Sequence, residues 1–213
     1  MITLFLSSFL PIIISCVYGE TNDLYNHLLD DYNKVIKPSG FVNVSFGISL
    51  VGVDKTDGDM ITFSVWEKLM WTDHRLSWSD EDYNSETFHL PIDKIWIPDV
   101  ILYNQGRKEV DLANVLSVIH KDGTVLYISP KLLTVRCLFE KSANIYHCRF
   151  KYGSWTYNAY EMHLNFMGNL QDMDMSYYYG KYKIFETLGR LDEKFYPCCE
   201  EPFQDITFSF KMK

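Results

Sequence analysis

Phe41-Val-Asn-Val-Ser-Phe-Gly-Ile-Ser-Leu50 alternates without a break: Val42, Val44, Phe46, Ile48 and Leu50 are apolar, and the residues between them are polar or small. A period of two marks a strand with one face in a core and the other toward water. The pattern recurs in Ile61-Thr-Phe-Ser-Val65, in Thr124-Val-Leu-Tyr-Ile128 and in the tail. There Ile206, Phe208, Phe210 and Met212 face one way, and Asp205, Thr207, Ser209, Lys211 and Lys213 the other. Asp57-Gly58, Lys121-Asp-Gly123 and Tyr152-Gly153 punctuate these runs as turn signals. One stretch departs from the pattern. Residues 22–37 carry Leu24, Leu28, Leu29, Tyr32, Val35 and Ile36 at helical spacing, and Pro38-Ser-Gly40 ends it. Many short strands behind one helix predict an all-β protein: an immunoglobulin-like antiparallel β-sandwich with a short N-terminal α-helix.

Composition narrows the function. The 213 residues are 47% apolar and 16% aromatic, enough to bury a real core. Lys and Arg number 20 against 28 Asp and Glu, a net charge of −8. That surface disfavours nucleic acid and favours a cationic partner. Residues 2–17 form an apolar stretch broken by Ser and Pro11, too short to span a bilayer, and Val17 and Gly19 suit small-residue cleavage. Residues 1–19 therefore read as a signal peptide and 20–213 as a single exported domain. No later run is apolar enough for a membrane span. The six His show no His-Glu-x-x-His spacing, and Gly153-Ser-Trp-Thr-Tyr157 lacks the second Gly of a nucleophile elbow, so no hydrolase motif is present. Asn43-Val-Ser45 is the one sequon, which makes Asn43 a glycosylation candidate.

Removing Cys16 with the signal leaves Cys137, Cys148, Cys198 and Cys199. Three pairings exist on paper, of which the simplest is Cys137–Cys148 plus a vicinal bond. Neighbouring Cα atoms lie about 3.8 Å apart, so a Cys198–Cys199 ring is strained and constrains almost no chain. Strain of that kind is seldom kept for stability. The other reading of the adjacent pair, a zinc or redox site, lacks spaced ligands and a nearby His. Trp66 shares the parity of Thr62, Ser64 and Lys68, which puts its indole on the polar face. An outward Trp is more often a packing accessory, but large exposed apolar surface also marks interaction sites. Tyr103, Trp155, Tyr196 and Phe203 cluster near turns and the Cys pair. Ordinary core packing accounts for most such rings; in an acidic exported sandwich they also suit a cage for an organic cation.

The flanks of these residues resemble the ligand-binding domain of the Cys-loop receptor family, specifically its nicotinic branch and the soluble acetylcholine-binding proteins. Val65-Trp-Glu-Lys-Leu-Met-Trp-Thr-Asp-His-Arg-Leu-Ser-Trp78 resembles the family's loop D and the segment after it. Trp96-Ile-Pro-Asp-Val-Ile-Leu-Tyr-Asn104 resembles loop A, and Lys151-Tyr-Gly-Ser-Trp-Thr-Tyr157 loop B. Phe195-Tyr-Pro-Cys-Cys-Glu-Glu-Pro-Phe-Gln-Asp-Ile-Thr-Phe208 resembles loop C. The ordered set, with a vicinal Cys pair, is far more specific than any one motif. The resemblance implies a pentamer, homomeric by expectation, binding acetylcholine or a nicotine-like cation at subunit interfaces, with no catalytic residues, cofactor or metal. It assigns Tyr103, Trp155, Tyr196, the Cys198–Cys199 disulfide and Phe203 to a principal face. It assigns Trp66, Val118, Leu126 and Ile128 to a complementary face, and Lys151, Tyr196 and Asp205 to a cluster that couples loop C to the sheet beneath.

Two departures carry expectations. The family commonly has Tyr where Phe203 stands, so one hydroxyl is missing. The ten residues between Cys137 and Cys148 form a shorter loop than in receptor subunits, without their Phe-Pro-Phe-Asp-like segment. Together with the end at Lys213, this favours a secreted binding protein; the alternative is a truncated nicotinic receptor subunit at the cell membrane.

Overall fold

The computed structural model describes residues 22–168, 172–197 and 199–213. The expected signal peptide, and Cys198, lie outside the described residues. Residues 22–29 are helical (α1), and twelve strands follow among the described residues. In order they are β1 (Val42–Asp57), β2 (Met60–Thr72), β3 (Thr87–Pro91), β4 (Val100–Leu102), β5 (Gln105–Asp111) and β6 (Leu116–His120). After these come β7 (Thr124–Arg136), β8 (Leu138–Glu140), β9 (Ile145–Ser154), β10 (Met162–Phe166), β11 (Ile184–Lys194) and β12 (Phe203–Met212). A seven-stranded sheet runs β10-β1-β2-β7-β6-β3, with β5 on the far half of β7; a five-stranded sheet runs β11-β12-β9-β4, with β8 on β9. Pairing is antiparallel except between β1 and β10.

Alternation builds the sandwich. Along β2 every second side chain from Ile61 to Trp71 is buried, and this inward face is apolar except at Glu67. Phe46 and Phe63 of the seven-stranded sheet meet Tyr152, Phe150, Phe208 and Phe210 of the five-stranded one. Phe63 stands edge-on to both Phe150 and Phe210, with centroids 5.2 and 5.5 Å apart, the geometry that ring quadrupoles favour. Cys137 and Cys148 are bonded as expected and close the β8–β9 hairpin.

Two local expectations need correction. The helical pattern to residue 37 stops early: beyond residue 29 the chain turns, and Val35 is 82% exposed. The reason is polar. Tyr32 donates its hydroxyl proton to Asp73 and accepts from the Trp96 amide, while the Asn33 side chain accepts from the Val35 amide, an alternative to helical bonding. Tyr152-Gly153 is not a turn; both residues lie inside β9. Gly58 and Gly123, by contrast, do sit in turns with φ near +63° and +82°.

Asp174 fastens the segment 172–183 to the outer face of β1 and β2. Its carboxylate accepts from Ser49 Oγ at 2.7 Å, Lys68 Nζ at 2.8 Å and the Ser176 amide at 2.9 Å, and its backbone bonds Ile48 and Leu50. Burial alone would raise its pKa, but these donors hold the carboxyl far below the usual carboxylate range. Its stabilising contribution is thus present above the ordinary carboxylate pKa and lost as pH falls toward the depressed native value.

Two outcomes follow from this packing. Phe63→Ala should cost about 3–5 kcal/mol, read as a lowered urea midpoint with unchanged slope. Asp174→Asn should be less stable than the parent above about pH 4, and the gap should narrow steadily in denaturation series taken to lower pH.

Candidate functional site

On β9 the inward residues Cys148, Phe150 and Tyr152 are buried in the core, and so Arg149, Lys151 and Gly153 face outward. That outer face is built up by neighbours from three directions. The β4–β5 turn is held by Asn104, whose side chain accepts from the Lys151 amide and donates to the Arg149 carbonyl, both at 2.9 Å. This lays the Tyr103 ring directly on Gly153. A Cβ there would strike the phenol oxygen, lie 2.7 Å from Tyr103 Cζ and 2.9 Å from the Gln204 carbonyl. Glycine is therefore needed for close approach, not for turning. The Tyr103 hydroxyl donates to the Ser154 carbonyl. Burial pushes its pKa well above the ordinary range, helped by the fields of Tyr196, Asp205 and Asp99, so the phenol stays a neutral donor.

Asp99 fixes the following turn. Its carboxylate accepts from Ser154 Oγ at 2.5 Å and from the Thr156 amide at 2.7 Å, and its carbonyl accepts from the Trp155 amide at 3.3 Å. Ser154 Oγ in turn accepts from the Tyr157 amide. Trp155 is left 72% exposed, its indole edge-on to Tyr103 with centroids 6.1 Å apart. The β11–β12 hairpin brings Tyr196 and Phe203, themselves edge-on at 5.9 Å. Tyr103, Ser154, Trp155, Tyr196 and Phe203 line one open recess of about 320 Å³. Cys199 is disulfide-bonded, and its amide donates to the Tyr196 carbonyl at 3.1 Å. Its expected partner Cys198 is outside the described residues.

Beneath the hairpin, Lys151 Nζ meets Asp205 at 2.6 Å. Asp205 is 2% exposed although its parity put it on the polar face, because β12 is central in its sheet and Lys151 lies over it. Burial acts against the Lys151 charge, but the bond to Asp205 outweighs it and the pKa rises. Tyr196 acts on Lys151 only through its field.

Trp66, Val118, Leu126 and Ile128 lie elsewhere, on the outer face of the seven-stranded sheet. Cross-strand register makes that face continuous: Trp66 opposite Pro130, Lys68 opposite Ile128, Met70 opposite Leu126, and Leu126 opposite Val118. Tyr177, from the segment anchored by Asp174, covers part of Trp66 with centroids 4.5 Å apart. Asn43 is exposed on β1. Among the described residues no cluster of His, Cys, Asp or Glu is suited to a metal, and no helix is long and apolar enough to cross a membrane. Sequence reasoning missed Asp99, Gly153 as a seat for Tyr103, and Tyr177. Asp99 stands next to Pro98 in the loop A stretch and gave a usable signal; Tyr177 sits in an aperiodic Tyr-rich stretch and gave none.

Residues 21–213 match the family described as the neurotransmitter-gated ion-channel ligand binding domain. The neuronal acetylcholine receptor subunit alpha-2 of Gallus gallus is 32% identical over 209 residues, which cover 92% of this chain and 39% of that subunit. Subunit alpha-3 of Rattus norvegicus is 31% identical over 202 residues, covering 89% of this chain and 40% of its own length. The chain thus spans about two fifths of the receptor subunits it matches. Among solved structures, Capitella teleta AChBP in complex with lobeline matches with a TM-score of 0.82 at 26% identity, over 91% of this chain and 97% of that one. With the motifs in order along a two-sheet sandwich, these matches make the chain a member of the neurotransmitter-gated ion-channel ligand-binding domain family, of nicotinic type.

Proposed function

We propose that this domain is a secreted acetylcholine-binding-protein-like module that takes acetylcholine or a related nicotinic cation in an aromatic cage shared by two protomers of a homopentamer. The observation that carries the reading is the separation of two aromatic surfaces. The recess of Tyr103, Trp155, Tyr196 and Phe203 is built on the outer face of the five-stranded sheet, and Trp66 stands on the outer face of the seven-stranded sheet. The whole core lies between them, so the two surfaces close on one guest only when they come from different copies. Trp155 is the principal cation-binding ring in this reading, being the most exposed member of the recess and rigidly held by Asp99. Val118, Leu126 and Ile128 of the neighbour supply apolar cover. Lys151 and Asp205 tie the root of the β11–β12 hairpin to β9, so the Cys199-bearing tip closes over the guest from a fixed base.

A second reading keeps the chemistry and changes the consequence: the extracellular ligand-binding part of a nicotinic receptor subunit. It is favoured by the receptor relatives, of which the chain matches about two fifths. Both readings are tested by light scattering on the purified chain, followed by acetylcholine titration with Trp emission as readout. A pentamer with saturable quenching is expected; a monomer indifferent to acetylcholine overturns the shared cage. Trp155→Ala should abolish the response, whereas Phe203→Tyr should keep or tighten it.

A further inference from the structure

One residue after Trp66, Glu67 points inward and is 5% exposed. It accepts from the Tyr152 hydroxyl at 2.6 Å and pairs with Lys131 Nζ at 2.8 Å, and Lys131 reaches Glu109 at 2.8 Å. Glu67, Lys131 and Glu109 belong to the seven-stranded sheet; Tyr152 belongs to β9 of the other, between Lys151 and Gly153. The bond therefore crosses the core, joining the strand that displays Trp66 to the strand that seats Tyr103 and leads into Trp155. A cavity of about 270 Å³ lined by Glu67, Lys131, Ile97, Pro98 and Val100 adjoins the pair on the side away from the aromatic core.

Stability is a poor reason for such a group. A buried ion pair replaced by well-packed apolar residues commonly leaves a protein as stable or more so, while the best-attested use of buried charge is to fix register. We infer that Glu67 is a positioning residue: through Tyr152 it holds the Trp66 strand and the Trp155 strand of one protomer in a fixed relation, so that displacement of either is felt at the other. Its effect on ligand affinity rests on the shared-cage reading; the mechanical link does not.

The test uses the full chain without ligand and then with acetylcholine. Hydrogen exchange in Tyr152→Phe should accelerate together in residues 64–68 and 151–154, with the β3–β6 pair unchanged. Glu67→Gln, which retains an acceptor, should exchange like the parent in both segments. Tyr152→Phe combined with Glu67→Leu and Lys131→Leu, which leaves no buried hydroxyl without an acceptor, should match or exceed the parent's thermal midpoint yet exchange like Tyr152→Phe alone. Acceleration confined to one of the two strands, or parental exchange in the triple variant, overturns the link. In the titration, Tyr152→Phe and the triple variant should bind acetylcholine about three- to tenfold more weakly, and Glu67→Gln within about twofold of the parent. Loosened strands with undiminished affinity would overturn the positioning role. A parent that ignores acetylcholine sinks the proposed function, while the exchange data still decide the link.

Discussion

The side chains of β9 must alternate for the molecule to have both a core and a recess. Phe150 and Tyr152 fill the space between the sheets, and Cys148 closes the disulfide from the same face. Lys151 and Gly153 then have no choice but to face outward, where one meets Asp205 and the other receives Tyr103. A slip of one residue would exchange these sets, driving a lysine into the aromatic core and a tyrosine ring off its seat. The register is held at several points independent of one another: the Cys137 bond at one end, the Asn104 clasp midway, and the Asp99 contacts where the strand ends.

Most of the fold was legible because it depends on patterns a few residues long. Val42 to Leu50 and Ile206 to Met212 announced their faces through parity, and parity also put Trp66 outward, where the structure has it half-buried against Tyr177. What failed depends on contacts distant in sequence. Leu24 and Leu28 do pack into the core, but the helical stripe ends where Tyr32 finds Asp73, forty-one residues away. Gly153 looked like a turn because glycine usually supplies positive φ, yet here its value is a missing Cβ, and the atom that needs the space belongs to Tyr103. Asp205 and Thr207 read as water-facing and are buried, since no local pattern reveals that β12 is central or that Lys151 will cover it.

Charge near the recess is largely consumed internally. Asp205 is matched by Lys151, and the Asp99 carboxylate by a hydroxyl and an amide. What the recess presents is therefore ring surface, not free carboxylate. This bears on selectivity: carboxylates would favour small, strongly hydrated cations as well, whereas π-faces favour an ammonium whose hydration is already weakened by alkyl groups.

In the cation-binding role proposed for it, such a recess is energetically only half a site. Three to five cation–π contacts, partly desolvated, amount to on the order of 5 kcal/mol, short of the ~8 kcal/mol that micromolar binding requires. Trp155, nearly three-quarters exposed, makes the shortfall larger in an isolated protomer, because a water-facing ring attracts a cation less than a desolvated one. The missing contribution has to come from covering the guest's apolar body and excluding water. The outer face of the seven-stranded sheet carries Trp66, the 38%-exposed Ile128, Leu126 and Val118, largely apolar apart from Lys68, and its own chain cannot bring it to the recess. Under the proposed function, affinity is therefore a property of the assembly, and protomer association and guest binding strengthen each other by linkage.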